Sequence, residues 1–222
     1  MSGGKRFFLM LVTFLGAIFL ILALNNVDVE AVPGYTKVGF SGLNMSFRNL
    51  WHYDEACGYS VFWFNLSRIL GLLSLAVCAF WTGLFCREVI KSGGFDGVGV
   101  DKNLMATFWL YVFAAALCLI FRKCAVSYCP LKLDGSKKLV SSFPSAYAML
   151  FIVAMGSTIF HVWDLLAERK KLAVILTVLC SLLMLLGIFA RMICGMNWLT
   201  DIIGGILMGS NLILLYSFFF CI

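Results

Sequence analysis

Charge is scarce in this sequence. Asp, Glu, Lys and Arg make up 13% of its 222 residues, against 62% hydrophobic, and the mean hydropathy is +0.98. That composition excludes an ordinary soluble domain and places the chain in the membrane class. The net charge of +6 is small and dispersed, with no dense basic stripe, which argues against a nucleic-acid partner. A basic loop meeting anionic headgroups or a lipid phosphate accounts for it better. Histidine is scarcer still: His52 and His161 are the only two, and they stand far apart. No Cys-x-x-C pair or Cys/His spacing occurs among the nine cysteines, so the sequence offers no zinc site. Cys78, Cys86, Cys118, Cys180 and Cys221 lie in apolar runs, where cysteine acts as a small hydrophobe. Only Cys57, Cys124, Cys129 and Cys194 fall in or beside loops, which leaves a loop-to-loop bridge open. No repeat, low-complexity stretch or separate soluble domain is visible.

What the sequence has in abundance is long apolar runs. Six are long enough to span a bilayer, at about 7–24, 69–86, 104–121, 143–163, 172–190 and 201–222. The first follows a short basic leader and is longer than a signal peptide's apolar region, with no small-x-small cleavage site after it, so it reads as a spanning helix. Residues 25–67 form the longest non-spanning segment. It starts polar, with Pro33-Gly34, then turns aromatic through Trp51, His52, Tyr53, Tyr59, Phe62, Trp63 and Phe64. That mixture suits an amphipathic helix lying at the headgroup level, more as an anchoring belt than as a gate. The expected fold is therefore all-α: one polytopic membrane domain over 1–222, with six transmembrane helices and an interfacial amphipathic helix.

Finer signals follow. Asp101 is placed to cap the helix after the Gly93-Gly94 turn, and Asp134-Gly135 reads as a turn. Pro144 is expected in the first turn of the fourth span. Gly205-x-x-x-Gly209 reads as a close-packing ridge, with Ser210 and Asn211 turned to neighbouring helices. His161, at the far end of the fourth span, is expected at the membrane interface. Six spans put both termini on one side. That side carries Lys5, Arg6, Arg87, Lys91, Lys102, Arg169, Lys170 and Lys171. The other carries Lys37, Arg48, Arg68, Arg122, Lys123, Lys132, Lys137, Lys138 and Arg191. Eight against nine decides nothing. Setting aside Arg122, Lys123 and Arg191 as ligands of a phosphate gives N-terminus inside.

Three polar stretches interrupt the apolar runs: Arg122-(six residues)-Cys129-Pro130, Phe143-Pro144-Ser145-Ala146-Tyr147, and Ala190-Arg191-(five residues)-Asn197-(three residues)-Asp201. Ionisable residues at a membrane boundary mark a site by default. Under the six-span topology all three fall at helix ends on one face. Arg122, Lys123 and Arg191 could surround a phosphate, since a guanidinium offers a planar fork of donors. Backbone N–H groups at Ser145 and Ala146, where a helix starts, would add a dipole-assisted anion site.

The spacings resemble the three signatures of the type 2 phosphatidic acid phosphatase superfamily, Lys-x6-Arg-Pro, Pro-Ser-Gly-His and Ser-Arg-x5-His-x3-Asp. The string Trp198-Leu199-Thr200-Asp201-Ile202-Ile203-Gly204-Gly205 is most similar to small bacterial members. The resemblance implies a bacterial inner or plasma membrane protein handling a lipid phosphate or polyprenyl phosphate, with no metal and no cofactor. It also implies roles: the third-signature His takes the phosphoryl group, its Asp orients it, and the second-signature His protonates the leaving oxygen. Here Asn197 stands at the nucleophile, Tyr147 at the acid, and Cys129 in place of a phosphate-binding Arg, while Asp201 is kept.

An amide nitrogen with its lone pair delocalised cannot form the phospho-intermediate. A phenol near pKa ~10 is a poor acid at neutral pH, and loss of the acid alone costs about 10²–10⁴ in rate. Cys129 lacks the Cys-x5-Arg loop of cysteine phosphatases, because position 135 is Gly, so a bridge to Cys124 or Cys194 is the better expectation. Asp201 could accept from Asn197, pair with Arg191, or cap its helix. Three readings follow: a pseudophosphatase that keeps an anion pocket, an active phosphatase using water held by Tyr147 and Asn197, or an interaction protein. The last would pair with a second copy or another membrane protein.

Overall fold

The computed structural model describes residues 3–31, 37–93, 99–131 and 140–220. Pro33-Gly34, Gly94, Lys132, Asp134-Gly135, Lys137, Lys138 and Cys221 lie outside them. Among the described residues, six helices are long and apolar enough to cross a membrane: α1 (Gly3–Asn26), α3 (Val61–Ser92), α4 (Lys102–Lys123), α5 (Ala146–Leu165), α6 (Lys170–Ile193) and α7 (Leu199–Phe219). A short helix, α2 (Ser41–Asn49), and a pair of two-residue antiparallel strands, β1 (Glu30–Ala31) and β2 (Lys37–Val38), fill the segment between α1 and α3.

α5 is the axis of the bundle. It packs against α3, α4, α6 and α7, and 56% of its apolar window is buried, against 11% for α6. An all-round apolar helix belongs in the middle of a membrane bundle, where its neighbours replace lipid. α7 lies beside α5 because two glycines let the backbones meet. A Cβ on Gly205 would fall 2.5 Å from the Ser145 carbonyl oxygen, and one on Gly209 would fall 3.1 Å from Ile152 Cβ. The ridge expected at these two glycines is thus the α5–α7 contact. On its other side α7 receives α1: Asn211 Nδ2 donates to the Met10 carbonyl at 2.8 Å and to Thr13 Oγ1 at 3.1 Å.

Several boundaries differ from the sequence reading. α3 starts at Val61, eight residues before the expected 69, and its 32 residues rise about 48 Å, well beyond a hydrocarbon core of about 30 Å. Arg68 suggested a membrane edge, yet a long cation tolerates a helical site by lying on an apolar neighbour. Its guanidinium carbon sits 5.6 Å from the Phe64 ring centroid. Phe62, Trp63 and Phe64 therefore belong to this helix, and the helix in the segment before it is α2 alone. α5 starts after Pro144, because Ser145 is its N-cap and accepts from the Ala148 amide. Asp101 caps α4 as expected, accepting from Asn103 N at 2.7 Å.

His161 is packed inside the bundle. It is 3% exposed, stacked on Trp81 with ring centroids 3.9 Å apart, and its Nε2 lies 2.8 Å from Thr107 Oγ1. The reason is local: Thr107 also meets the Tyr216 hydroxyl at 2.8 Å, and this polar trio gives the imidazole the partner that burial demands.

Candidate functional site

The three polar stretches meet at one end of the bundle. Residues 127–129 run beside 140–142: Cys129 N donates to the Val140 carbonyl, Ser142 N donates to the Ser127 carbonyl, and Tyr128 bridges Ser141. This closes the first stretch onto the second and sets the Ser127 and Ser142 hydroxyls 2.9 Å apart. The third stretch enters through the turn at Gly195, whose φ of +83° favours glycine and whose open side is filled by the Tyr53 ring.

Asp201 is fully buried and does three things there. One carboxylate oxygen accepts from Ser127 Oγ at 2.7 Å, the other accepts from Trp198 N at 3.1 Å, and its carbonyl accepts from Ser145 N at 2.9 Å. Of the alternatives open in the sequence, the cap is the one realised. Neither Asn197 nor Arg191 bonds its carboxylate among the described residues. Trp198 Nε1 adds a bond to the Tyr128 carbonyl at 2.9 Å, so all three stretches are tied through backbone atoms.

Arg191, Asn197 and Tyr147 form the open part. Arg191 Nε donates to Asn197 Oδ1 at 2.7 Å, and Asn197 Nδ2 donates to the Ser142 carbonyl at 3.2 Å. Both ends of the amide are engaged, which fixes its orientation. The Arg191 guanidinium carbon lies 4.3 Å from the Tyr147 ring centroid, a cation–π contact. Tyr147 reaches this position because Gly71 of α3 leaves room: a Cβ there would stand 2.6 Å from the ring. Arg191 is only 8% exposed, and its Nη1 is buried with no hydrogen-bond partner. An unsatisfied buried guanidinium nitrogen is uncommon and calls for an explanation. The Ala146 and Tyr147 amides sit in the first turn of α5, where a helix has no internal acceptors to offer.

The remaining candidates divide. Ser145 is buried and serves as the cap; Ala146 is exposed at the mouth. Cys129 is half-buried, and its thiol pKa is pushed up to about 11, first by burial and then by the Asp201 charge, with Arg191 opposing. Arg122 and Lys123 are exposed at the last turn of α4 and make no bond to the cluster among the described residues. Cys124, Cys129 and Cys194 are free, so the expected bridge is not formed: Cys124 faces out, while the Cys194 thiol turns back to its own helix, donating to the Arg191 carbonyl. Sequence reading missed Ser127 and Ser142, which carried no spacing signal. It also missed Asn44 and Arg48 of α2. Asn44 donates to the Thr200 hydroxyl and accepts from Thr200 N, while Arg48 donates to the Gly195 and Gly58 carbonyls.

Residues 123–220 match the family model described as the PAP2 superfamily. The fold is similar to that in the crystal structure of a transmembrane PAP2 type phosphatidylglycerolphosphate phosphatase from Bacillus subtilis. The identity is 13% and the TM-score 0.64, over 95% of this chain and 94% of that chain. No curated protein matches. The chain is an integral membrane protein with the fold of that transmembrane PAP2 phosphatase, and the family match falls on its segment 123–220.

Proposed function

We propose that the protein is a pseudophosphatase: it holds the phosphate of a membrane lipid at the end of the bundle and does not hydrolyse it. The observation that carries this reading is the pairing of Arg191 with Asn197. A buried guanidinium with an open Nη1 is suited to a phosphate oxygen, and the α5 amides at Ala146 and Tyr147 are suited to a second. The group that would take the phosphoryl in a PAP2 enzyme is replaced by an amide already bonded at both ends. Tyr147 meets Arg191 with its ring face, so it serves the cation more than a departing alkoxide. Asp201 is occupied by Ser127 and Trp198 N and has no imidazole to orient.

The resemblance suggests a bacterial inner or plasma membrane with both termini cytoplasmic and the pocket outside. The Bacillus subtilis relative is a phosphatidylglycerolphosphate phosphatase, which makes a phosphate-bearing lipid the natural ligand class. Phosphate release from a short-chain lipid phosphate by purified protein tests the reading. No turnover above background is expected, and multiple turnover abolished by Asn197→Ala would refute it. Changing Cys129→Arg, Tyr147→His and Asn197→His together is expected to create measurable turnover.

A further inference from the structure

We infer that the pocket selects a phosphodiester monoanion, the headgroup phosphate of an intact phospholipid, over a phosphomonoester or a diphosphate. This rests on the anion-pocket reading above and narrows it. Arg191 is the buried Lys or Arg among the described residues, and fully buried Asp201 lies in the same hydrogen-bonded assembly. The position that supplies a second guanidinium in PAP2 enzymes is Cys129, a thiol that stays protonated and neutral at physiological pH. Arg122 and Lys123 are exposed at the end of α4, where water attenuates their field.

The donors are equally limited. Arg191 Nε is committed to Asn197, one face of its guanidinium lies on Tyr147, and its buried Nη1 has no partner among the described residues. The first-turn amides of α5 are the other donors at hand. A diester phosphate has two non-bridging oxygens sharing a single charge, so one oxygen can meet Nη1 and the other the amides. A monoester presents a third terminal oxygen and a charge of about −1.5 to −2 at neutral pH. Its extra charge would be buried uncompensated, which is strongly unfavourable. A diphosphate compounds the fault.

The test is competition for a fluorescent phosphatidylglycerol on the purified full-length protein in detergent at physiological salt. The competitors are dioctanoyl phosphatidylglycerol, dioctanoyl phosphatidic acid, farnesyl diphosphate and chain-free glycerophosphoglycerol. The diester lipid should compete about tenfold or more better than the monoester of the same chains. Cys129→Arg should narrow or reverse that ranking, and Arg191→Met should weaken the diester by a similar factor. Arg122→Ala with Lys123→Ala should lower all affinities without changing their order. Equal or tighter competition by phosphatidic acid or the diphosphate overturns the inference while leaving an anion pocket in place. Glycerophosphoglycerol competing as well as the lipid would assign the site to a soluble diester and overturn the lipid part. Diester binding left unchanged by Arg191→Met would bring down the pocket reading, and this inference with it.

Discussion

Arg191→Met separates a residue kept for a ligand from one kept for the fold. Without ligand, Arg191 gains a charge-assisted hydrogen bond to Asn197, about 1.5–3 kcal/mol. It also gains a partly desolvated cation–π contact with Tyr147, about 1–2 kcal/mol. Against these stand an unsatisfied Nη1, about 1–3 kcal/mol, and the desolvation of a guanidinium at 8% exposure, several kcal/mol more. The balance is near zero or unfavourable. Met fills much of the volume and leaves no charge behind. Delipidated Arg191→Met should therefore melt within about 4 °C of the parent, or above it, at about 2–4 °C per kcal/mol for a chain of this size. With a phosphate lipid at about a hundred times its Kd, the parent should gain about 2.7 kcal/mol, or roughly 5–10 °C, and the variant almost nothing. Thermal unfolding followed by near-UV dichroism in detergent reads both. A ligand-free loss of more than about 3 kcal/mol would show that Arg191 is a structural clamp, and the reasoning would fail.

Three further outcomes are expected. In the background that restores Cys129→Arg, Tyr147→His and Asn197→His, adding Ser127→Ala with Ser142→Ala should raise turnover by about 10–100-fold, because the two hydroxyls hold the Asp201 carboxylate that would orient the new imidazole. An unchanged or lower rate would show that the serines do not compete. The Cys129 thiol, with its pKa at about 11, should be about a thousandth ionised at pH 8, so maleimide should label exposed Cys124 first and Cys129 only as pH climbs. The sign for stability agrees: the unfolded thiol ionises near 9.0, the folded one near 11, so the contribution is intact below the first value and lost as pH rises through the second. Equal labelling at pH 7.5 would contradict this. Gly205→Val should destabilise by about 3 kcal/mol or more, since its Cβ meets the Ser145 carbonyl, whereas Gly83→Ala, with nothing within 4 Å, should be neutral or stabilising by up to about 1 kcal/mol. Comparable melting temperatures for the two would refute the α5–α7 contact.

The spans were legible because bilayer thickness imposes a minimum apolar length on any sequence that crosses it. Two finer features were legible because they act locally or along one helix face: the Asp101 cap of α4 and the Gly205/Gly209 ridge. What could not be read depends on contacts between distant segments. Ser127 and Ser142 become partners of Asp201 only when two loop edges run side by side, and a serine hydroxyl leaves no periodic trace. His161 looked like a membrane-edge residue because nothing in its own helix announces Thr107 and Tyr216. The start of α3 was masked by Arg68 and the aromatic cluster, which describe an interface equally well. The three signature stretches were found by spacing, and spacing survives when reactive groups do not.

The tie between Asn44 and Thr200 has a consequence for how the molecule comes into being. These residues are 156 apart in sequence, and α1 rests on α7, so the earliest part of the chain is completed by the latest. During synthesis the Asn44 amide and the inner side of α1 wait for a helix not yet made. A chain cut short before α7 lacks the partner of both, and quality-control proteases would meet it as an unfinished product.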